Sequence, residues 1–129
     1  MSDTAEHKIE VMIVADHPIL RLGLRDLVHQ EPDMELRCEA KCELTARIQY
    51  LAYHPDVTVV DLDLPGGGGW KTVRAILALN PYAPMIGLTT GEPTNMPHDI
   101  DRAALVFISK SAPSGDIVRA ARLAGSRPA

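Results

Sequence analysis

At 129 residues the chain has the length of one ordinary domain, and its 46% hydrophobic content suffices for a core that needs neither disulfides nor metal. Its 13 Lys and Arg against 17 Asp and Glu leave a net charge of −4, which excludes the basic stripe needed for direct nucleic-acid binding. No apolar run approaches the roughly 20 residues of a membrane span, and Met1 to Glu10 is too polar for a secretory signal, so a cytoplasmic location with no membrane contact is expected.

Ser2 to Lys8 reads as a polar tail, with the domain proper over 9–124 and a linker or C-terminal tail over 125–129. Ile9, Val11, Met12, Ile13 and Val14 form an apolar run of strand length that ends at Asp16. From Pro18 to about Gln30 the spacing predicts a helix with Ile19, Leu20, Leu24, Leu27 and Val28 on its inner face. Met34 to Ala40 alternates, which places Met34, Leu36, Cys38 and Ala40 on one face of a half-exposed strand. Cys38 and Cys42, the only cysteines, have poor metal-site spacing and read as reduced thiols. Glu43 to Tyr53 reads as a weaker helix carrying Leu44, Ile48 and Leu51, stopped by His54-Pro55.

Val57 to Val60 is a β-branched run apolar on both faces, the pattern of a central strand. It ends at Asp61, after which Pro65 and Gly66 to Gly69 form a loop. Trp70 to Leu79 predicts another helix, with Val73, Ile76, Leu77 and Ala78 inward. Met85 to Leu88 predicts a strand ending at Thr89-Thr90. Gly91 to Asp101 is where a helix is due, but Pro93 and Pro97 leave two turns at most. Leu105 to Ile108 is the last strand, with Lys110 two residues beyond it, and Ala112 to Leu123 the last helix, with Ile117, Val118 and Ala121 inward and Ser111 or Ser114 as cap.

Strands alternating with helices imply right-handed crossovers and a parallel sheet covered on both faces, with the functional crevice outside the carboxyl ends of the strands. Asp16, Asp61, Thr89 and Lys110 then meet at one edge, each after a different strand. Two carboxylates and a backbone carbonyl, such as that of Asp63, suit Mg²⁺, while a lysine and a hydroxyl suit phosphate oxygens. A carboxylate in such a site can attack a phosphoryl group; Asp61, at the end of the central strand, is better placed for this than Asp16, which serves as metal ligand.

These residues closely resemble the receiver domain of two-component response regulators, and within it the NarL/FixJ (LuxR-type) subfamily. The resemblance runs from Ile9 to Gly125 and rests on A-D-H-P-I-L-R-L-G-L-R-D-L at Ala15, E-P-D-M-E-L at Glu31, P-D-V-T-V-V-D-L-D-L-P-G at Pro55, L-T-T at Leu88 and F-I-S-K at Phe107. It implies a flavodoxin-like (CheY-like) three-layer α/β fold with a five-stranded parallel sheet of order 2-1-3-4-5, here with its fourth helix short or distorted. It further implies phosphorylation of Asp61 by a sensor histidine kinase, Asp16 as Mg²⁺ ligand, Thr89 as switch hydroxyl, Phe107 as switch aromatic and Lys110 as phosphoryl-binding lysine, in the service of transcription regulation.

Three departures bear on that expectation. Ala15 stands where the family has a second acid, and should weaken Mg²⁺ binding without abolishing it. Thr90 is bulkier than the residue common there, and should restrict water's access to the acyl phosphate. The two prolines fall in the helix through which many receivers signal. A pseudo-receiver that is not phosphorylated is therefore the alternative, and a haloacid-dehalogenase-type phosphatase, suggested by D-L-D-L at Asp61, a remote one placed wrongly in the chain. The subfamily's C-terminal helix-turn-helix DNA-binding domain has no counterpart in these residues, and Leu20, Leu24 and the last helix could offer homodimer contacts if they do not face the core.

Overall fold

The computed structural model describes residues 7–91 and 96–126. Its strands are β1 (Ile9–Val14), β2 (Met34–Ala40), β3 (Val57–Asp61), β4 (Met85–Thr89) and β5 (Val106–Ser109). The helices are α1 (Pro18–His29), α2 (Glu43–Tyr53), α3 (Gly68–Leu79) and α4 (Ser114–Gly125), with short 3₁₀ turns at Pro65–Gly67 and Arg102–Ala104. All strand pairs are parallel, in the order β2-β1-β3-β4-β5. The α/β flavodoxin-like order expected from the sequence is the one observed. Strand order reverses at β1 and β3, so the crevice opens where Asp16 follows β1 and Asp61 ends β3.

The core has two halves, one on each face of the sheet. Met12, Val60, Met85, Trp70, Val73 and Ile76 fill the side covered by α2 and α3. Val11, Ile13, Val59, Leu88, Leu24 and Ala121 fill the side covered by α1 and α4. Every residue of β3 is buried, as its β-branched run requires, and each fully buried Val or Ile contributes about 1.5–3 kcal/mol. Arg122 of α4 closes the far end of the fold, donating to Asp33 Oδ2 at 2.7 Å and Glu31 Oε1 at 2.6 Å in the turn before β2. That guanidinium, against a smaller cost of burial, holds the Asp33 carboxyl below its ordinary pKa.

Several local expectations change. The β1–β2 register shifts between Val11 and Met12, so Arg37 is an extra residue on β2. This bulge turns the strand over: Met34 and Leu36 face the α1 side, whereas Cys38 and Ala40 face the α2 side, so the four do not share one face. In α1, Leu24 and Val28 are buried and Leu20 and Leu27 pack on the core, but Ile19 is 76% exposed. In α2, Ala46 and Tyr50 are the buried residues, while Leu44, Ile48 and Leu51 face solvent. A short residue and a tyrosine whose hydroxyl accepts from Asn80 Nδ2 at 3.1 Å let α2 lie close to α3, which leaves the leucine stripe outside. Ala78 of α3 is likewise exposed. Helix α4 starts with Pro113 at its N-cap and no side-chain cap, so neither Ser111 nor Ser114 caps it.

Between β4 and β5 the described residues contain no α-helix, only the turn at Arg102–Ala104, where Asp101 Oδ1 accepts from Ala103 N–H at 2.9 Å. Pro97 lies in this irregular stretch; Pro93 falls outside the described residues. Cys38 is buried and Cys42 exposed, both free, and burial pushes the Cys38 thiol up to about 11.

One buried side-chain polar atom lacks a partner among the described residues: Thr58 Oγ1, on the second residue of β3 and fully inaccessible. An unsatisfied buried hydroxyl costs about 1–3 kcal/mol. Thr58→Val, which keeps the shape, is therefore expected to raise stability by about 1 kcal/mol in urea denaturation; an unchanged or lower midpoint would show that the hydroxyl is satisfied in solution.

Candidate functional site

The carboxyl ends of β1 and β3 and the turn after β5 line one pocket that includes Asp16, Asp61, Asp63 and Lys110. Asp61 ends β3 and is 5% exposed. Its Oδ1 accepts from Lys110 Nζ at 2.8 Å and from the Asp63 main-chain N–H at 2.9 Å. Among the described residues none donates to Asp61 Oδ2, which leaves that oxygen free. Lys110 Nζ also reaches Asp63 Oδ2 at 3.0 Å, and that same oxygen accepts from the Thr90 hydroxyl. Asp61, Asp63, Lys110 and Thr90 thus form one bonded cluster.

The charges in it stabilise one another. Burial opposes the Lys110 charge, but hydrogen bonds to Asp61 and Asp63 outweigh it and raise its pKa. Burial likewise opposes the Asp63 charge, and the Thr90 hydroxyl with the Lys110 ammonium reverses the balance and lowers its pKa.

Asp16 lines the pocket but bonds to none of these groups. Its turn is held from behind: Arg21 of α1 donates to the carbonyls of Ala15 at 3.1 Å and Asp16 at 3.4 Å, and pairs with Glu39 of β2 at 3.3 Å. The Ala15 side chain is fully buried. Among the described residues no three acidic, His or Cys side chains converge on a single metal-sized point, and the Lys110 ammonium bridges Asp61 and Asp63. The donor chemistry nonetheless fits a hard divalent cation: carboxylate and carbonyl oxygens lining a pocket open to water.

Thr89 and Phe107 are not part of the cluster. Thr89, buried at the end of β4, contributes its carbonyl, which accepts from Lys110 N–H at 2.8 Å. Phe107 is paired with Gly87 in the β4–β5 register, packs against Trp70 with ring centroids 6.2 Å apart, and lies beneath the Arg102 guanidinium at 4.8 Å.

Sequence reasoning missed four contributors. Two are Arg21 and Arg102. The third is the Asp63 carboxylate, for which only the main-chain carbonyl was expected. The fourth is Gly69: a Cβ there would lie 2.6 Å from the Asp61 carbonyl oxygen and 2.6 Å from Leu62 Cα. Its neighbours Gly66 and Gly67 serve a different need, having φ of 66° and 72°. Only the D-x-D spacing, with Asp63 just past the strand end, hinted at any of these.

Residues 11–122 match the response regulator receiver domain. The chain belongs to that family. Among its relatives are the DNA-binding transcriptional activator DevR/DosR of Mycobacterium tuberculosis, 34% identical over 64% of this chain and 38% of that protein. Another is the response regulator UvrY of Escherichia coli, 30% identical over 88% of this chain and 53% of that protein. A solved LuxR-family two-component response regulator from Aurantimonas superposes with a TM-score of 0.78 at 28% identity, covering 92% of this chain and 86% of that one. The receiver therefore spans about half the length, or less, of these two curated relatives. Among the described residues of the receiver, no helix is long and apolar enough to cross a membrane.

Proposed function

We propose that this receiver is a phosphorylation-controlled switch whose phosphoacceptor is Asp61, charged by a sensor histidine kinase with Mg²⁺ and serving transcription regulation in the cytoplasm. The observation that carries the reading is the asymmetry at Asp61: two donors hold Oδ1, and none among the described residues holds Oδ2. Oδ2 would attack the phosphorus of the kinase's phosphohistidine. The new O–P bond forms as the P–N bond breaks, and its electron pair returns to the imidazole nitrogen. Lys110 Nζ, already at Asp61, would neutralise charge on the phosphoryl oxygens. Bound Mg²⁺, held by Asp16, Asp61 and the Asp63 carbonyl, would offset repulsion between the carboxylate and the incoming phosphoryl group.

Thr89 would then turn its hydroxyl to the phosphoryl group and Phe107 would shift in response, breaking its contacts with Trp70 and Arg102. The Thr90–Asp63 hydrogen bond restricts one approach of water to Asp61. A DNA-binding domain of helix-turn-helix type, which these residues do not include, would read out the switch; the matched part is only 38% and 53% of the two relatives, one of them a DNA-binding transcriptional activator. Leu24 and Leu20 pack in or on the core, so of the expected contacts the last helix, where Leu123 is 74% exposed, is the one a homodimer would use.

Incubation with Mg²⁺ and a small phosphodonor should add one phosphoryl group by intact mass, absent from Asp61→Asn. No addition to a folded wild type would favour the unphosphorylated pseudo-receiver, which the lone acid at Asp16 also suits; repeated turnover of a phosphate ester would favour a phosphatase.

The pocket has an apolar rim of the exposed Pro18, Ile19 and Pro65, suited to a helix of the kinase. Burying the exposed Ile19 side chain would contribute about 1.5 kcal/mol. Ile19→Asp is thus expected to slow phosphotransfer from the kinase about tenfold while altering small-donor labelling far less. Equal slowing of both reactions would mean that Ile19 acts on the pocket and not on the partner.

A further inference from the structure

Three carboxylates, Asp16, Asp61 and Asp63, and one ammonium, Lys110, line the pocket and together carry two net negative charges, the number that one divalent cation cancels. Without the Asp63 charge the pocket would be a single charge short, and the buried Ala15 methyl group supplies none. Asp63 is also held more firmly than a carbonyl donor needs. Its N–H is tied to Asp61 Oδ1 at 2.9 Å, and its Oδ2 takes both the Thr90 hydroxyl and Lys110 Nζ, the latter at 3.0 Å. Among the described residues none donates to its Oδ1, so one carboxylate oxygen stays unpaired in the pocket.

We infer that the Asp63 side chain, and not only its main-chain carbonyl, serves the cation site, not as a third converging ligand but as a neighbouring negative charge that Ala15 does not supply. It acts as a positioning residue: Thr90 fixes the carboxylate, and the carboxylate keeps Lys110 beside Asp61. Its Oδ2 is taken by Lys110 and Thr90, so it is Oδ1, with no donor among the described residues, whose charge would be available to a cation in the resting pocket. The inference rests on the phosphoacceptor reading of the same pocket, but it is tested in the resting protein, before any phosphoryl group arrives.

The test is a calorimetric Mg²⁺ titration without phosphodonor, on the wild type and three variants that all keep the residue 63 carbonyl. Asp63→Asn removes the charge at constant size and is expected to weaken Mg²⁺ binding about tenfold, the lower end of what loss of an outer partner of a metal site costs. Asp63→Glu restores the charge and should recover most of the affinity. Thr90→Val removes the tether alone and should weaken binding only two- to threefold. Asp63→Asn with native near-ultraviolet circular dichroism and wild-type affinity would overturn the inference. So would failure of Asp63→Glu to recover affinity, which would make the role purely geometric. A wild type that binds no Mg²⁺ would sink the cation site altogether. If the Mg²⁺ pattern holds but Asp61 takes no phosphoryl group, the phosphoacceptor reading fails and the assignment of Asp63 stands.

Discussion

Gly69→Ala is expected to lower stability by about 3 kcal/mol, lower the melting temperature by roughly 10 °C, and abolish most phosphoryl labelling of Asp61. The cause is a contact between backbones. A Cβ at residue 69 would meet the Asp61 carbonyl oxygen at 2.6 Å, Leu62 Cα at 2.6 Å and the Leu62 carbonyl carbon at 2.8 Å. Side chains can turn away from such a contact, but these atoms cannot without moving the end of β3. Alanine's better helix propensity returns at most about 1 kcal/mol, so the clash decides the sign. The displaced segment is the one that carries Asp61, hence the coupled loss of labelling. Gly66→Ala is the control: its φ of 66° strains any side chain, yet nothing lies within 4 Å, so it should cost only about 1 kcal/mol and leave labelling intact. Chemical denaturation and intact mass on both variants check this. Equal effects at the two positions would mean that flexibility of the loop, and not closeness of α3 to β3, is what the glycines supply.

The contrast between these glycines shows how far the sequence could be read. Its strands were legible because their apolar runs are short, β-branched and end in polar residues, and strand ends are where a parallel sheet gathers its chemistry. The same rule accounts for Asp16, Asp61 and Lys110 lining one pocket. What the sequence could not show depends on orientation at the scale of one residue. Four consecutive glycines look alike, yet two take positive φ and a third allows a close approach. The bulge at Arg37 turns over half of β2, and period-2 alternation has no signal for an inserted residue. In α2 two faces compete: the leucines at 44 and 51 with Ile48 are the more apolar, yet Ala46 and Tyr50 are buried because a small residue permits close approach and the tyrosine hydroxyl finds Asn80. The Asp63 carboxylate was hidden for a similar reason: its role depends on a hydrogen bond from Thr90, 27 residues away.

Lys110→Ala is expected to lower stability near neutral pH by about 2 kcal/mol and to slow phosphoryl transfer to Asp61 by 10²–10³-fold, with Mg²⁺ binding retained. Removing one partner of a fully buried ion pair costs about 3–5 kcal/mol; here Lys110 is 27% and Asp63 40% exposed, and solvent takes part of the charge. The pH dependence identifies the source. The Lys110 pKa is raised above its ordinary 10.5, so its contribution is complete below that value and is lost as pH rises through the folded one. The Asp63 pKa is lowered below its ordinary 3.8, so its contribution is complete above that value and is lost as pH falls through the folded one. The stability difference between wild type and variant should therefore form a plateau from about pH 5 to about pH 10 and shrink on both sides. Urea denaturation at a series of pH values measures it. A difference that stays constant from acid to alkali would assign the Lys110 contribution to packing of its methylene stem. In that case the ammonium would hold Asp61 and Asp63 together at no net gain, and slow phosphoryl transfer in the variant would be the only trace of its charge.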